Sequence, residues 1–170
     1  MASPCECRIG LGYDVHRLES GRKLTLGGVN IESSVGLVGH SDADALLHAI
    51  TDAILGAIAE PDIGDLFSPS DDEWKDISST VFVKEALRRA TLKGFIVRNV
   101  DTVVIAEKPK LKEWKNAIRS RVAKILDIGE DCVGIKAKSG EGLGPVGKGK
   151  AIEVRAVVLL NKRSDKQDSC

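Results

Sequence analysis

The residues most able to do chemistry lie between positions 14 and 48 of the sequence. Asp14 and His16 stand two apart in a stretch with strand character, so their side chains share one face. His48 lies on the polar stripe of an apolar helix. Two imidazoles and a carboxylate suit a divalent metal, and three protein ligands leave zinc an open position for catalysis. Mixed nitrogen and oxygen ligands also admit manganese or iron. On pattern alone the same residues read as a surface aspartate and two satisfied histidines. The third histidine, His40, stands beside Ser41 at the expected start of the His48 helix. Helix N-termini offer unpaired N–H groups to an anion; plain capping by Ser41 is the simpler reading. In the stretch KAKSGEGLGPVGK (136–148), glycines let the backbone approach a ligand. Its lysines and Ser139 could hold phosphate, and Glu141 a hard cation such as magnesium. A glycine-rich hairpin is the alternative, and no Walker loop is present.

These groups need elements to position them. Residues 8–13 (RIGLGY) alternate as a strand, and 24–32 (LTLGGVNIE) reads as strand, Gly-Gly turn and a short extended piece. Both are expected in a small N-terminal sheet. A helix is expected from Ser41 to about Ala59, with Ser41 and Asp44 at capping-box spacing. Its core stripe is Leu46, Leu47, Ile50, Ile54 and Ile58, while Asp44 and Asp52 flank His48 and could orient its ring. An acidic loop covers 61–79. Helix 80–93 ends at Gly94, strand 100–107 follows, and Pro109-Lys110-Leu111 leads a helix reaching Leu126. Strands 132–138 and 151–160 flank the glycine-rich loop and are expected to pair antiparallel across it. The expected fold is α+β in two layers: one mixed sheet, helices on a single face, and a small N-terminal hairpin.

At 170 residues, 42% hydrophobic and 29% charged, the chain is expected to form a single domain, 1–170, with polar tails at 1–7 and 162–170. Twenty-five basic residues balance twenty-five acidic ones, which gives no footprint for nucleic acid or an anionic membrane. No apolar run of about 18 residues occurs to span a membrane. The polar start MASPCEC is too short for a signal peptide, and Cys5, Cys7, Cys132 and Cys170 are expected as unpaired thiols.

Taken together, RIGLGYDVHRL, LGG, GHSDADALLHAITDAILGA, PDIGDLF, EKPKL and KAKSGEGLGPVGKG resemble the 2-C-methyl-D-erythritol 2,4-cyclodiphosphate synthase family of the non-mevalonate isoprenoid pathway. The resemblance spans residues 8–161. It implies zinc on Asp14, His16 and His48, and the substrate's 2-phosphate on His40 and Ser41. Asp62 and Gly64 would line the methylerythritol pocket, with Phe67 also against substrate. Ala106, Pro109, Lys110 and Leu111 would hold cytosine; Ala137, Lys138 and Ser139 the ribose and diphosphate. Glu141 would hold magnesium or manganese between the phosphates. Lys148, a further substrate position, stands where the family commonly has arginine. The implied enzyme is a phosphorus–oxygen lyase that releases CMP, works as a homotrimer with sites between subunits, and resides in a bacterial cytoplasm or plastid-type stroma. Ser68-Pro69-Ser70-Asp71 and Arg155 depart from the family pattern. Two rival readings from the residues are a metal-dependent hydrolase of nucleotide diphosphates and a non-catalytic zinc or nucleotide-binding module.

Overall fold

The computed structural model describes residues 7–68 and 71–163. Its spine is β1 (Cys7–Ser20), a long strand with two unlike faces. Ile9, Leu11, Tyr13 and Val15 point to solvent, while Gly10, Gly12, Asp14 and His16 point inward. Inward lies α1 (Ala45–Ala57), which sets Ala49, Ala53 and Ala57 against the strand. A Cβ on Gly10 would stand 1.8 Å from the Ala53 carbonyl oxygen, and one on Gly12 would stand 1.8 Å from that of Ala49. Only glycine opposite alanine lets strand and helix backbones approach this closely.

The main sheet has five strands in the order β4-β1-β7-β5-β6. Here β4 is Val35–Leu37, β5 Phe95–Ile105, β6 Val133–Lys138 and β7 Ala151–Lys162. β7 is central and antiparallel to both β1 and β5, whereas β6 lies at the edge, parallel to β5. The expected β6–β7 hairpin is therefore wrong. The glycine-rich loop carries a short helix, α5 (Gly144–Gly147), and delivers the chain to the sheet centre, past β5. The length and apolar character of β7 fit a strand paired on both sides.

β2 (Leu24–Leu26) and β3 (Val29–Ile31) form the expected hairpin as a separate two-stranded sheet. Gly27 (φ +62°) and Gly28 (φ +73°) supply the left-handed turn such hairpins need. β1, however, belongs to the large sheet, so the N-terminal third is not one small sheet. The strands also reach further than expected: Cys7 opens β1 and Lys162 closes β7.

α1, α3 (Thr80–Leu92) and α4 (Lys115–Leu126) cover one face, burying Leu46, Ile50, Ile54, Phe82, Val83, Ile118 and Val122. The other face of the sheet stays bare, with Ile9 70% and Leu11 68% exposed. The fold is thus the expected α+β arrangement. Gly94, at φ +79°, follows α3 as the capping glycine. The acidic loop is not structureless: it holds α2 (Ile63–Leu66) and a 3-10 turn at Asp72–Trp74. The helix expected from Pro109 begins only at Lys115, so the proline does not start it. Cys132 is a free thiol, while Cys5 and Cys170 lie outside the described residues.

Candidate metal centre and nucleotide cradle

β1 and α1 bring Asp14, His16 and His48 together, half-buried, with ligand atoms within 4.8 Å of one another. Asp14 Oδ2 lies 3.0 Å from His16 Nε2 and 3.1 Å from His48 Nδ1, and the two ring nitrogens are 3.2 Å apart. The His16 proton can be assigned. His16 Nδ1 is 2.7 Å from the Val38 carbonyl oxygen, which only accepts. Nδ1 therefore donates, and the Nε2 lone pair faces Asp14. His16 Nε2, His48 Nδ1 and an Asp14 oxygen then converge on one point. Tetrahedral coordination at the usual zinc distances places ligand atoms about 3.3 Å apart, close to what is seen. The donor set fits a divalent metal.

Without a cation, a proton must bridge these acceptors. Burial disfavours charge on Asp14, but hydrogen bonds and attraction from His16 and His48 outweigh it and hold its pKa at about 2. Burial likewise opposes charge on His16, and Asp14 overcomes it, raising the His16 pKa. A metal ion bound at His16 Nε2 must displace that proton.

The helix that bears His48 starts later than expected. Its N-cap is Asp44, not Ser41, and α1 runs from Ala45 to Ala57. Asp44 is wholly buried and accepts from Leu47 N at 3.1 Å, Gly27 N at 2.9 Å and Gly28 N at 2.6 Å. Burial pushes its carboxyl pKa up; the three N–H groups pull against that. Asp44 thus ties the helix start to the hairpin turn and does not orient His48. Asp52 does not either: it accepts the Ile63 N–H at 2.8 Å and fastens α2 to α1. The partners of His48 Nε2 are Ser79 Oγ at 2.8 Å and Ser41 Oγ at 3.2 Å. Ser79 carried no signal beyond ending a loop, and Asp42, which accepts from it, was not singled out in the sequence.

His40 and Ser41 sit in the turn before α1, so they are not at a helix N-terminus. Both still line a 230 Å³ cavity over the metal group, together with Gly64, Phe67, Trp74 and Phe82. His40 Nε2 donates to the Asp71 carbonyl at 3.0 Å. Phe67 packs on Phe82 with ring centroids 4.5 Å apart and edge-on to Trp74 at 5.1 Å. Trp74 was not singled out in the sequence, and Phe82 read only as core. Asp62 turns away to cap α2, accepting from Asp65 N at 3.0 Å.

A second cavity of 300 Å³ gathers Ala106, Lys110, Leu111, Ala137, Lys138 and Ser139, with Lys112 and Lys115 added. Pro109 follows a cis peptide bond beside it. Ser139 Oγ donates to Glu141, and both Glu141 and Lys148 are exposed on the glycine-rich loop. Asp71, in the segment that departs from the family pattern, accepts the Glu73 N–H at 3.0 Å; Pro69 and Ser70 lie outside the described residues. Arg155 pairs with Glu153 at 2.9 Å. The two cavities share one end of the sheet. Asp14, Val154, Val104 and Ala137 are in register across β1, β7, β5 and β6. Three strand spacings put them roughly 14 Å apart.

The YgbB family model matches residues 7–161. A 2-C-methyl-D-erythritol 2,4-cyclodiphosphate synthase of Solibacter usitatus (strain Ellin6076) is 52% identical over 157 residues, covering 92% of this chain and 99% of its own. A solved structure of a 2C-methyl-D-erythritol-2,4-cyclodiphosphate synthase in a CDP-bound form superposes with a TM-score of 0.85 at 40% identity, covering 91% of this chain and 100% of its own. The bifunctional IspDF of Campylobacter jejuni gives a TM-score of 0.88 at 39% identity over 92% of this chain, which spans 42% of that longer protein. With the family model matched over residues 7–161 and a synthase 52% identical along 92% of the chain, this chain belongs to the YgbB family of 2-C-methyl-D-erythritol 2,4-cyclodiphosphate synthases.

Proposed function

We infer that the chain converts 4-diphosphocytidyl-2-C-methyl-D-erythritol 2-phosphate to 2-C-methyl-D-erythritol 2,4-cyclodiphosphate in isoprenoid precursor biosynthesis. An oxygen of the 2-phosphate attacks the β-phosphorus, the bond from that phosphorus to the bridging oxygen breaks, and CMP leaves with the bonding pair. The observation that carries this reading is the convergence of Asp14, His16 and His48 in a chain so close to known synthases. Zinc on those three residues, with magnesium or manganese on Glu141, supplies charge neutralisation at the phosphates.

The chain's own residues do the positioning, on which phosphoryl transfer chiefly depends. His40 and Ser41 hold the attacking phosphate at the rim of the metal cavity. Gly64 and Phe67 bound the methylerythritol space, and the ring cluster of Phe67, Trp74 and Phe82 keeps water from it. Asp62 stands at the same loop. Ala106, Pro109, Lys110 and Leu111 present backbone and a cation to the base. Ala137, Lys138, Ser139 and Lys148 serve the ribose and diphosphate. No protein nucleophile is needed.

Within one chain the two cavities are separate. The bare apolar face of β1 and β7 supports a homotrimer in which a neighbouring copy completes each site. Among the described residues no helix is long and apolar enough to cross a membrane. The enzyme works in a bacterial cytoplasm or a plastid-type stroma. The decisive test is incubation with the substrate and magnesium, following CMP and the cyclic product by mass spectrometry. Equal amounts of both are expected. A linear product carrying labelled oxygen from water would overturn cyclisation in favour of hydrolysis.

A further inference from the structure

The two metal-site histidines are oriented by partners of different kinds. His16 gives its Nδ1 proton to a backbone carbonyl, which can only accept. His48 Nε2 faces a hydroxyl, Ser79 Oγ, at 2.8 Å. A hydroxyl can donate or accept, so by itself it leaves the His48 tautomer open. If Ser79 donated, the His48 proton would sit on Nδ1, between Asp14 and His16, and block the metal.

We propose that Asp42 and Ser79 form a relay that fixes His48 in its Nε2–H tautomer and so aims the Nδ1 lone pair at the metal. The inference rests on the metal reading of Asp14, His16 and His48. Asp42 Oδ1 accepts the Ser79 hydroxyl proton and the Asp44 N–H at 3.2 Å, and Oδ2 accepts the Ser79 N–H at 3.1 Å. An aspartate surrounded by donors stays an acceptor, and it takes the one proton that Ser79 has. The Ser79 oxygen can then only accept, and it is the nearer of the two hydroxyls at His48 Nε2, 2.8 Å against 3.2 Å for Ser41, so Nε2–H is the state it selects. Ser79 is wholly buried, so water does not compete for its hydroxyl.

A second observation agrees. Ser79 occupies the N-cap position of α3, where serine normally accepts from the first turn, yet its side chain makes no cap hydrogen bond. Its hydroxyl is turned back toward Asp42 and His48 instead. The backbone holds it there. Asp42 N donates to Ile77 O at 3.0 Å and Asp76 N donates to His40 O at 2.9 Å, stitching the end of the acidic loop to the segment before α1. Asp42 and Ser79 are positioning residues: they act on the metal only through His48, as second-layer partners of ligating histidines commonly do.

The test uses the full chain. Competition with a chromophoric chelator reports the zinc dissociation constant, and nitrogen-15 shifts of the His48 ring in zinc-loaded protein report the Nε2–H given to Ser79. Zinc-loaded wild type is expected as Nε2–H, hydrogen-bonded to Ser79. In Asp42→Asn the amide can donate to Ser79, which frees the hydroxyl proton for His48 Nε2. The Nε2–H then loses its acceptor, its nitrogen-15 shift moves, and zinc binding weakens about 10- to 100-fold. Ser79→Ala, with Ser41 Oγ left at 3.2 Å as a weaker acceptor, is expected near the lower end of that range, and Ser79→Thr restores wild-type affinity. An Asp42→Asn protein with unchanged ring shifts and an unchanged zinc constant overturns the relay. Should Asp42→Asn fail to fold, Ser79→Ala decides: a wild-type zinc constant there overturns it equally. Wild type that binds no zinc would refute the metal reading, and the relay with it; a zinc-binding wild type with an unmoved Asp42→Asn refutes the relay alone.

Discussion

The metal pole and the nucleotide pole of this molecule are built in opposite ways. Asp14, His16 and His48 stand on a long strand and a packed helix, half-buried, each held by a fixed partner. Lys110, Lys138, Glu141 and Lys148 stand on loops or strand ends and are exposed. A site that must hold an ion against water needs locked ligands, whereas a site that receives a large anion can keep mobile cations and backbone groups. The three candidate ligands of the first come from one chain; the second faces outward to solvent.

The sharpest way to break this contrast is to remove a metal ligand. His48→Ala should lose bound zinc and at least about a thousandfold of turnover, the scale on which a preorganised charge-stabilising group acts. Metal analysis and CMP release check it; full turnover by a metal-free variant would refute the role of the pole.

Next comes the packing that brings α1 to β1. Gly12→Ala would drive a Cβ to within 1.8 Å of the Ala49 carbonyl oxygen, so the helix must lift. A loss of about 3 kcal/mol is expected, along with weaker zinc binding. Denaturant unfolding measures the first; a midpoint equal to wild type would show that the contact is not tight.

The pH response is smaller and graded. Zinc and a proton compete for His16 Nε2, and Asp14 raises the His16 pKa despite burial. Below that raised pKa, each unit of acid should weaken zinc binding about tenfold; above it, this group contributes no slope. The weakening therefore begins at higher pH than an ordinary histidine would give. Chelator competition over roughly pH 5–8 tests it. A flat affinity would remove the His16 proton from the exchange.

The smallest effect belongs to the exposed pole. Glu141→Gln should keep zinc and raise the magnesium needed for half-maximal rate by a few-fold. An unchanged magnesium titration would count against Glu141 as a cation ligand.

Much of the metal pole was legible in the sequence because regular elements have fixed periods. Alternation put Asp14 and His16 on one face of a strand, and the helical stripe of Leu46, Leu47, Ile50 and Ile54 left His48 at its border. What misled was local proximity in sequence. Ser41 and Asp44 both suit an N-cap, and only the N–H groups of Gly27 and Gly28, distant in sequence, select Asp44. The short glycine-rich link made β6 and β7 look like a hairpin, although β5 lies between them.

The sequence by itself determined the ligand types, the faces they occupy, and the glycines and alanines that let α1 meet β1. Those follow from residue chemistry and from the periods of strand and helix, which act over a few residues. The tertiary structure alone decided that Asp42 and Ser79, 37 residues apart, meet behind His48. It also decided that the metal and nucleotide cavities share one end of the sheet on separate strands. Hydrogen bonds between loops carry no sequence period, so only the folded chain reveals which polar groups find each other.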